Sequence, residues 1–291
     1  MESASPPTDG GRRHVLVTLG SLGLFALSGC GGGGTDTSTL APIMTSGAST
    51  ASTAATTATT TATTSTAADT TTTSSACQVV PEETAGPYPA DGSNASNNNY
   101  NVLALAGIVR SDIRTNVGGT AQVSGAPLTL TITLTNTKTS CAPLAGYAIY
   151  LWQCTREGTY SVYTTQSLSD NHLRGVQETD ANGTVSFTTV VPGCYAGRMP
   201  HMHLEIYPSL SNAKSAGSKV KTTQLAFPTE TLRAIYNNAA GYSQSVANLN
   251  AISFATDNVF SDGTSLEMVN FSGDATSGYS ANIAIAIAIA A

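Results

Sequence analysis

Two histidines two positions apart, His201 and His203, form the pattern with the clearest chemical meaning in this sequence. On a β-strand, residues i and i+2 project from the same face of the sheet, so both imidazoles can reach one ion. Tyr195 and Arg198 stand just upstream of the pair. Such pairs occur in zinc, copper and iron sites and also by chance, so the pair alone leaves both a metal site and an ordinary strand open.

Tyrosine is an unusual metal ligand, and its presence beside the pair narrows the choice of ion. As a phenolate it is hard and anionic, which suits Fe(III) better than Zn(II) or Cu(I). A bound cation lowers the pKa of a tyrosine from its ordinary ~10 far enough to ionise it. By alternation Glu205 shares the face of the histidines, where it could equally face solvent.

The composition gives no support to a nucleic-acid partner. The 291 residues carry a net charge of -6, only 10% of them are charged, and no basic run occurs. Binding to nucleic acid or to an anionic membrane surface therefore has no electrostatic basis. Threonine, serine, glycine and alanine are abundant, which favours strands and turns over a helical bundle.

Residues 1–30 are typical of an export signal. Arg12 and Arg13 precede an apolar run, Val15–Leu27, that is too short to span a bilayer as a stable anchor. The run ends in Leu27-Ser-Gly-Cys30, which resembles the bacterial lipobox and implies attachment of lipid to the sulfur of Cys30. An ordinary secretory signal is the alternative, and the general and twin-arginine export routes both stay open. We expect an extracytoplasmic or cell-surface lipoprotein that contacts the membrane only through its lipid.

Residues 31–76 form a low-complexity spacer of glycine, threonine, alanine and serine. Such a tract cannot bury enough apolar surface to offset the entropy of ordering, so we expect a disordered linker. Residues 77–291 remain for the folded part, and about 215 residues are enough for one domain with a substantial core.

Four cysteines follow the lipobox: Cys77, Cys141, Cys154 and Cys194. An even number in an exported protein permits two disulfides. We favour Cys77–Cys141, which would fix the start of the domain, and Cys154–Cys194. A zinc site is the rival interpretation, although no two of these cysteines have C-x-x-C spacing.

Short segments between turn signals predict an all-β fold, an antiparallel β-sandwich with long loops and one short helix. Leu128–Thr135 alternates apolar residues with threonine, which is typical of a half-buried strand. The alternation in Asn282–Ala290 predicts a closing strand, and Thr229–Asn237 predicts the helix, with Thr229 as its cap. Further strands are expected at Val102–Arg110, Tyr147–Gln153, Val185–Val191, a segment that runs through Ile206, and Val220–Phe227.

A series of motifs occurs in the order and approximate spacing of one enzyme family. They are Trp152-Gln153, Gly158-x-Tyr160-Ser161, Leu173-Arg-Gly-Val-Gln177, Thr179-Asp180, Gly183, Phe187-x-Thr189, Val191-Pro-Gly-x-Tyr195, Gly197-Arg198, His201-x-His203 and Thr223-Gln224. Over about residues 80–228, and more weakly in the C-terminal strands, the sequence resembles the intradiol ring-cleavage dioxygenases. These are the catechol, protocatechuate and hydroxyquinol enzymes, and the chain is most similar to exported members with a single domain.

The resemblance implies a non-haem Fe(III) bound by two tyrosines and two histidines. By motif, Tyr160 is the tyrosine of G-x-Y-S, Tyr195 is that of P-G-x-Y, and His201 and His203 fill the H-x-H pair. Two phenolates and one hydroxide neutralise the ion, so it can lie in an apolar sandwich without a large desolvation cost. The resemblance also implies that Tyr195 leaves the ion when substrate binds and accepts a substrate proton.

Further roles follow from the same resemblance. Arg198 would stabilise anionic character on the substrate carbons, and Gln224 would hydrogen-bond substrate oxygens. Tyr88 and Trp152 would line the pocket of the aromatic ring, although packing explains a buried aromatic almost as well.

The implied reaction inserts both atoms of O2 into a small catechol-type diol. It cleaves the ring between the two hydroxyl-bearing carbons and gives a muconate-type diacid. One alternative is a surface lipoprotein that binds aromatics or carbohydrates on the same fold without turnover. Another is a zinc or copper protein that uses only the histidines. The filled tyrosine and histidine positions favour the enzyme.

Overall fold

The computed structural model describes residues 78–93 and 99–290. The export signal with Cys30, the spacer and Cys77 lie outside the described residues, so what the sequence predicts for them stays a prediction. Within the described ranges, no helix is long and apolar enough to cross a membrane.

Nine strands and two α-helices form the described part of the chain. In chain order they are β1 (Pro127–Asn136), β2 (Ala142–Pro143), β3 (Ala148–Trp152), β4 (Arg174–Glu178), β5 (Thr184–Val190), β6 (His201–Tyr207), β7 (Lys221–Ala226), α1 (Thr229–Asn238), α2 (Ser243–Asn250), β8 (Asn270–Asp274) and β9 (Gly278–Ile287). One sheet has the order β2-β1-β9-β8 with β5 also paired to β1, and the other has the order β4-β3-β6-β7. The all-β sandwich class is confirmed.

Strand β1 shows how the sequence pattern becomes the core. Its apolar residues, Leu128, Leu130, Ile132 and Leu134, are all buried, while the threonines between them are partly or fully exposed. The buried set packs in one apolar cluster with Ile149 of β3 and with Met202, Leu204 and Ile206 of β6. Because these strands belong to different sheets, the two sheets share one core.

Strand β6 is buried along its whole length, so both of its faces are covered. Met202, Leu204 and Ile206 point into the shared core. The alternate residues, among them His201 and His203, therefore point to the opposite side of the sheet. On that side Tyr150, Trp152 and Tyr160 belong to a second, smaller apolar cluster, so the side chains of His201 and His203 lie between the sheet and its covering loops.

Several local predictions are wrong. Val102–Arg110 is not a strand: it begins with a 3-10 turn, Val102–Ala104, because the side chain of Asn101 accepts a hydrogen bond from the backbone N–H of Leu103. Helix α1 has Pro228 as its N-cap residue, with no side-chain capping bond, so Thr229 is not the cap. The described residues contain a second helix, α2, which the sequence analysis missed. Strand β9 is present, but it pairs parallel to β1.

The expected disulfide between Cys154 and Cys194 is absent. Both thiols are free and buried. Each sulfur instead contacts a backbone carbonyl, at 3.5 Å from Gly193 O for Cys154 and 3.4 Å from Arg198 O for Cys194. Burial raises the pKa of both thiols to about 12, so they stay protonated at neutral pH. Cys141 is disulfide-bonded, and the Cys77–Cys141 pairing stays a prediction because Cys77 lies outside the described residues.

The buried carboxyl group of Glu267 should make the stability of the protein depend on pH. It is fully buried; one carboxyl oxygen lies 3.5 Å from the Thr223 hydroxyl and the other has no partner. Burial, with the nearby charges of Glu83 and Asp262, raises its pKa from 4.5 to about 8. Between these two pH values the folded protein keeps a proton that the unfolded chain releases, so the free energy of unfolding falls as pH rises.

The neutral variant Glu267→Gln should remove this dependence. We expect its melting temperature relative to the native protein to rise as the pH is raised from 4.5 to about 8 and to level off above that. Thermal unfolding at several pH values measures the difference. Glu230→Gln is the matched control, because the Glu230 side chain is 89% exposed. A constant difference between Glu267→Gln and the native protein would contradict the assignment.

Candidate metal centre

Four side chains from three segments converge on one point. The hydroxyl of Tyr160 lies 3.4 Å from Nε2 of His201 and 3.4 Å from Nε2 of His203. The hydroxyl of Tyr195 lies 3.1 Å from Nε2 of His201, and the two Nε2 atoms are 3.1 Å apart. A tetrahedron of donors at ~2.0–2.1 Å from its centre has edges of ~3.3 Å. These separations therefore suit four ligands of a single ion.

The histidines present unprotonated nitrogens to this point. Nδ1 of His201 lies 2.6 Å from the carbonyl oxygen of Met199, so Nδ1 carries the proton and Nε2 keeps its lone pair. Burial, followed by the charge of Arg198, lowers the pKa of His201 to about 3. Burial, followed by the neighbouring His201, likewise holds the pKa of His203 well below its ordinary value. Both rings are therefore neutral and could act as metal ligands.

The tyrosines require a cation before they can ionise. Burial raises the pKa of Tyr160 well above 10 and that of Tyr195 to about 12. A cation at the shared point would reverse this, because it stabilises the phenolate directly. Within the described ranges, no cluster of three or more histidine, cysteine or acidic side chains could hold a metal. A donor set of two phenols and two imidazoles fits Fe(III), because phenolates are hard, anionic ligands suited to that ion.

Two loops hold the tyrosines. The loop after β3 closes through a hydrogen bond from the N–H of Gly158 to the carbonyl of Thr155, and Tyr160 follows that turn. The loop before β6 is fastened to it by the N–H of Gly193, which donates to the same carbonyl of Thr155 at 3.1 Å. Helix α2 holds the second loop as well, because the side chain of Asn248 donates to the carbonyl of Cys194 at 2.7 Å.

Gly158 allows the two loops to approach each other. Its backbone has φ +83°, and a Cβ atom there would lie 3.0 Å from Cβ of Tyr195. In Gly158→Ala we expect the left-handed backbone to cost about 1–2 kcal/mol and the contact to displace Tyr195, so that iron content falls. Elemental analysis and thermal unfolding measure both effects.

Gly278→Ala is the control, since Gly278 also has φ +83° but no atom within 4 Å of the added Cβ. Gly278→Ala should lose a similar amount of stability through its left-handed backbone but keep full iron content. Equal iron content in the two variants would contradict the packing role of Gly158.

Arg198 lies beside the four ligands and is held by two side chains. Its Nη2 donates to Oε1 of Gln224 at 2.7 Å, and its Nε donates to the carboxylate of Asp257 at 3.0 Å. The amide nitrogen of Gln224 donates to the carbonyl of Thr84 at 2.8 Å. The Arg198 side chain is 12% exposed, so a fixed positive charge borders the site. Sequence reasoning missed Asp257, which lies far from every motif.

A family model and several solved structures match the chain. A family model described as "Dioxygenase" matches residues 104–250, about half of the chain. The chain is also similar to the solved structure of an intradiol ring-cleavage dioxygenase from Tetranychus urticae, with 26% identity, coverage of 73% of this chain and 95% of that one, and a TM-score of 0.55.

The chain belongs to the intradiol ring-cleavage dioxygenase family.

More distant members of the family also match. The dioxygenase domain of a dioxygenase and carbohydrate-binding fusion from Streptomyces sp. SirexAA-E is 22% identical, over 73% of this chain and 100% of that one, with a TM-score of 0.47. Catechol 1,2-dioxygenase from Pseudomonas arvilla C-1 is 20% identical, over 64% of this chain and 58% of that one, with a TM-score of 0.39. No curated protein sequence matches the chain.

The two aromatic residues expected around the substrate lie in different places in the structure. Tyr88 is 36% exposed and stacks on Tyr160 with ring centroids 4.8 Å apart, beside an open cavity of ≈ 300 Å³. Trp152 is fully buried and stacks on His203, with centroids 4.7 Å apart and planes 3° apart. The indole of Trp152 therefore has no surface that faces a substrate, and it supports the ring of His203 instead.

Two other conspicuous side chains, those of His172 and Arg174, have structural roles. His172 pairs with a residue outside the centre: its Nδ1 lies 2.8 Å from the carboxylate of Asp170, and both side chains are less than 20% exposed. Arg174 is fully buried and donates to the carbonyl of Pro89 and to both Oγ and O of Ser161. Because Ser161 follows Tyr160, this arginine fixes the loop that carries a ligand.

Proposed function

We propose that this chain is a non-haem Fe(III) intradiol dioxygenase acting on a small catechol-type diol and O2. It would insert both oxygen atoms, cleave the ring between the two hydroxyl-bearing carbons and release a muconate-type diacid. The observation that carries the proposal is the convergence of the Tyr160 and Tyr195 hydroxyls with Nε2 of His201 and His203, at separations of 3.1–3.4 Å.

When bound by these four side chains, Fe(III) would supply the charge that ionises the catechol and makes its ring electron-rich enough to react with O2. Tyr195 is the tyrosine suited to exchange with substrate, because it is half-buried whereas Tyr160 is only 4% exposed. Its raised pKa makes the free phenolate a strong base. Tyr195 is therefore placed to accept a proton from a catechol hydroxyl.

Arg198 supplies the fixed positive charge of the site. A guanidinium keeps its charge at any ordinary pH, and here its orientation is set before substrate arrives by Asp257 and Gln224. Such a preorganised charge stabilises anionic character on the substrate as the ring is attacked. Both polar ends of Gln224 are already engaged, by Arg198 and by Thr84, so its support for the reaction runs through Arg198.

Metal analysis combined with oxygen uptake tests the proposal. We expect purified protein to contain one iron per chain, to be coloured by its phenolate ligands and to change colour when catechol is added without oxygen. With air present, it should consume one O2 for each catechol cleaved. A colourless zinc protein would contradict the proposal, and a coloured protein that binds catechol without consuming oxygen would favour the non-catalytic binding protein.

The location is a proposal from the sequence alone. Leu27-Ser-Gly-Cys30 supports an exported lipoprotein, and residues 31–76 would then separate the enzyme from the membrane surface. An extracytoplasmic enzyme would meet aromatic diols before they enter the cell.

A further inference from the structure

Asp257 is the most heavily hydrogen-bonded acidic side chain near the site. It is fully buried in the loop between α2 and β8, C-terminal to the segment that the family model matches. Its carboxylate accepts bonds from the backbone N–H groups of Met199 at 2.6 Å, Val259 at 2.8 Å and Phe260 at 3.1 Å. Burial alone would raise its pKa, but these bonds and Arg198 outweigh burial and hold the pKa below its ordinary value. Asp257 is therefore an anion in the folded protein.

The first group that Asp257 holds is the guanidinium of Arg198. Nε of Arg198 lies 3.2 Å and 3.0 Å from the two carboxylate oxygens. The ring of Phe260, three residues after Asp257, lies 5.7 Å from the guanidinium carbon and adds a cation–π contact. One short loop thus provides both the counter-charge and the aromatic surface that orient this arginine.

The second group that Asp257 holds is the backbone of Met199, which sets the tautomer of His201. The N–H of Met199 donates to Asp257, and the carbonyl of Met199 accepts the Nδ1 proton of His201 at 2.6 Å. A shift of residue 199 would therefore turn the imidazole whose Nε2 faces the shared point. Two different components of the site are fixed by one carboxylate.

We propose that Asp257 is a positioning residue that orients Arg198 against the substrate and, through Met199, holds His201 in its ligating tautomer. This inference rests on the proposed dioxygenase function. Asn in its place would keep the shape but lose the charge, and its NH2 group would face donors that now bond to an oxygen. Mutation of a residue that orients metal ligands without binding the metal itself typically lowers activity or metal affinity by about 10–100-fold.

The main experiment compares Asp257→Asn with a matched ion pair elsewhere. We expect kcat/KM for catechol to fall about 10–100-fold, mainly in kcat, because the charge of Arg198 acts on the transition state. The control is Asp112→Asn. Asp112 also accepts hydrogen bonds from an arginine, Arg114: from its Nε at 2.9 Å, from its Nη2 at 2.7 Å and from its backbone N–H. The Asp112→Asn variant should keep native kinetics.

Two readouts separate positioning from a general loss of structure. In an Arg198→Gln background, Asp257→Asn should lower kcat/KM much less than it does in the native protein, because most of its effect runs through the arginine. In the iron-free protein, the Nε proton of Arg198 should exchange slowly with water and should exchange fast in Asp257→Asn, as measured by NMR. The second readout depends on neither iron nor turnover.

The outcomes are distinct. Native kcat and slow Nε exchange in Asp257→Asn would overturn the role of Asp257. An undiminished loss in the Arg198→Gln background would overturn the part of that role that runs through Arg198. If Asp257→Asn does not fold, Asp257→Glu keeps the charge and should retain more activity than Asp257→Ala, and equal loss in the two would overturn it as well. If the native protein itself consumes no oxygen with catechol, the proposed function fails, while the exchange measurement still tests the orientation of Arg198.

Discussion

Tyr160→Phe is expected to lower the iron content, to weaken the visible colour, and to lower ring cleavage by at least about 100-fold, more than the loss of a contact that only orients a ligand. The hydroxyl of Tyr160 lies within 3.4 Å of both ligand nitrogens, and phenylalanine deletes that oxygen with little change of shape. Without one phenolate the site also loses a negative charge that offsets Fe(III). Iron content, the visible spectrum and oxygen uptake with catechol measure the three consequences.

Tyr163→Phe is the control for the spectrum. Tyr163 lies three residues further along the same loop, and its hydroxyl accepts a hydrogen bond from the N–H of Ala90 instead of facing the histidines. It should keep iron and colour. Full colour in Tyr160→Phe, or loss of colour in Tyr163→Phe, would show that the ligand set is wrong.

Arg198→Gln is expected to lower kcat by about 100- to 1,000-fold while iron and colour are retained, the size of effect seen when one preorganised donor is removed. Glutamine keeps a hydrogen-bond donor but loses the charge, and it leaves the buried Asp257 carboxylate without its ion-pair partner. Steady-state kinetics on iron-loaded protein measure the change. The metal ligands are untouched, so the effect belongs to chemistry and not to metal binding.

Arg114→Gln provides the comparison for this variant. Arg114 also pairs with an aspartate, Asp112 at 2.7 Å, but takes no part in the site. It should leave kcat unchanged. A fall of less than about threefold in kcat for Arg198→Gln, well short of the loss of one preorganised donor, would contradict the electrostatic role of Arg198.

The sequence predicts the ligand-bearing part of the fold because local rules govern it. Alternation in β1 and β6 decides which side chains enter the shared core, and a one-residue shift would expose the apolar set. The same alternation puts His201 and His203 on one face. The tyrosines have no such pattern, and only their motifs indicate that Tyr160 and Tyr195 meet the histidines.

Contacts between distant segments are what the sequence could not predict. The partner of Arg198 is Asp257, 59 residues away and next to no motif. The alternation of β9 predicts a strand but not its parallel pairing with β1, because either edge and either direction bury the same residues. Cys154 and Cys194 come from neighbouring loops, as expected, but each sulfur contacts a carbonyl and remains a thiol.

The fate of the oxygen atoms tests the central claim most directly. The iron-loaded protein is incubated with catechol under 18O2, and the product is analysed by mass spectrometry. We expect a ring-opened diacid with one 18O atom in each new carboxyl group. A product with no label, or catechol recovered uncleaved from a protein that contains iron, would contradict the account.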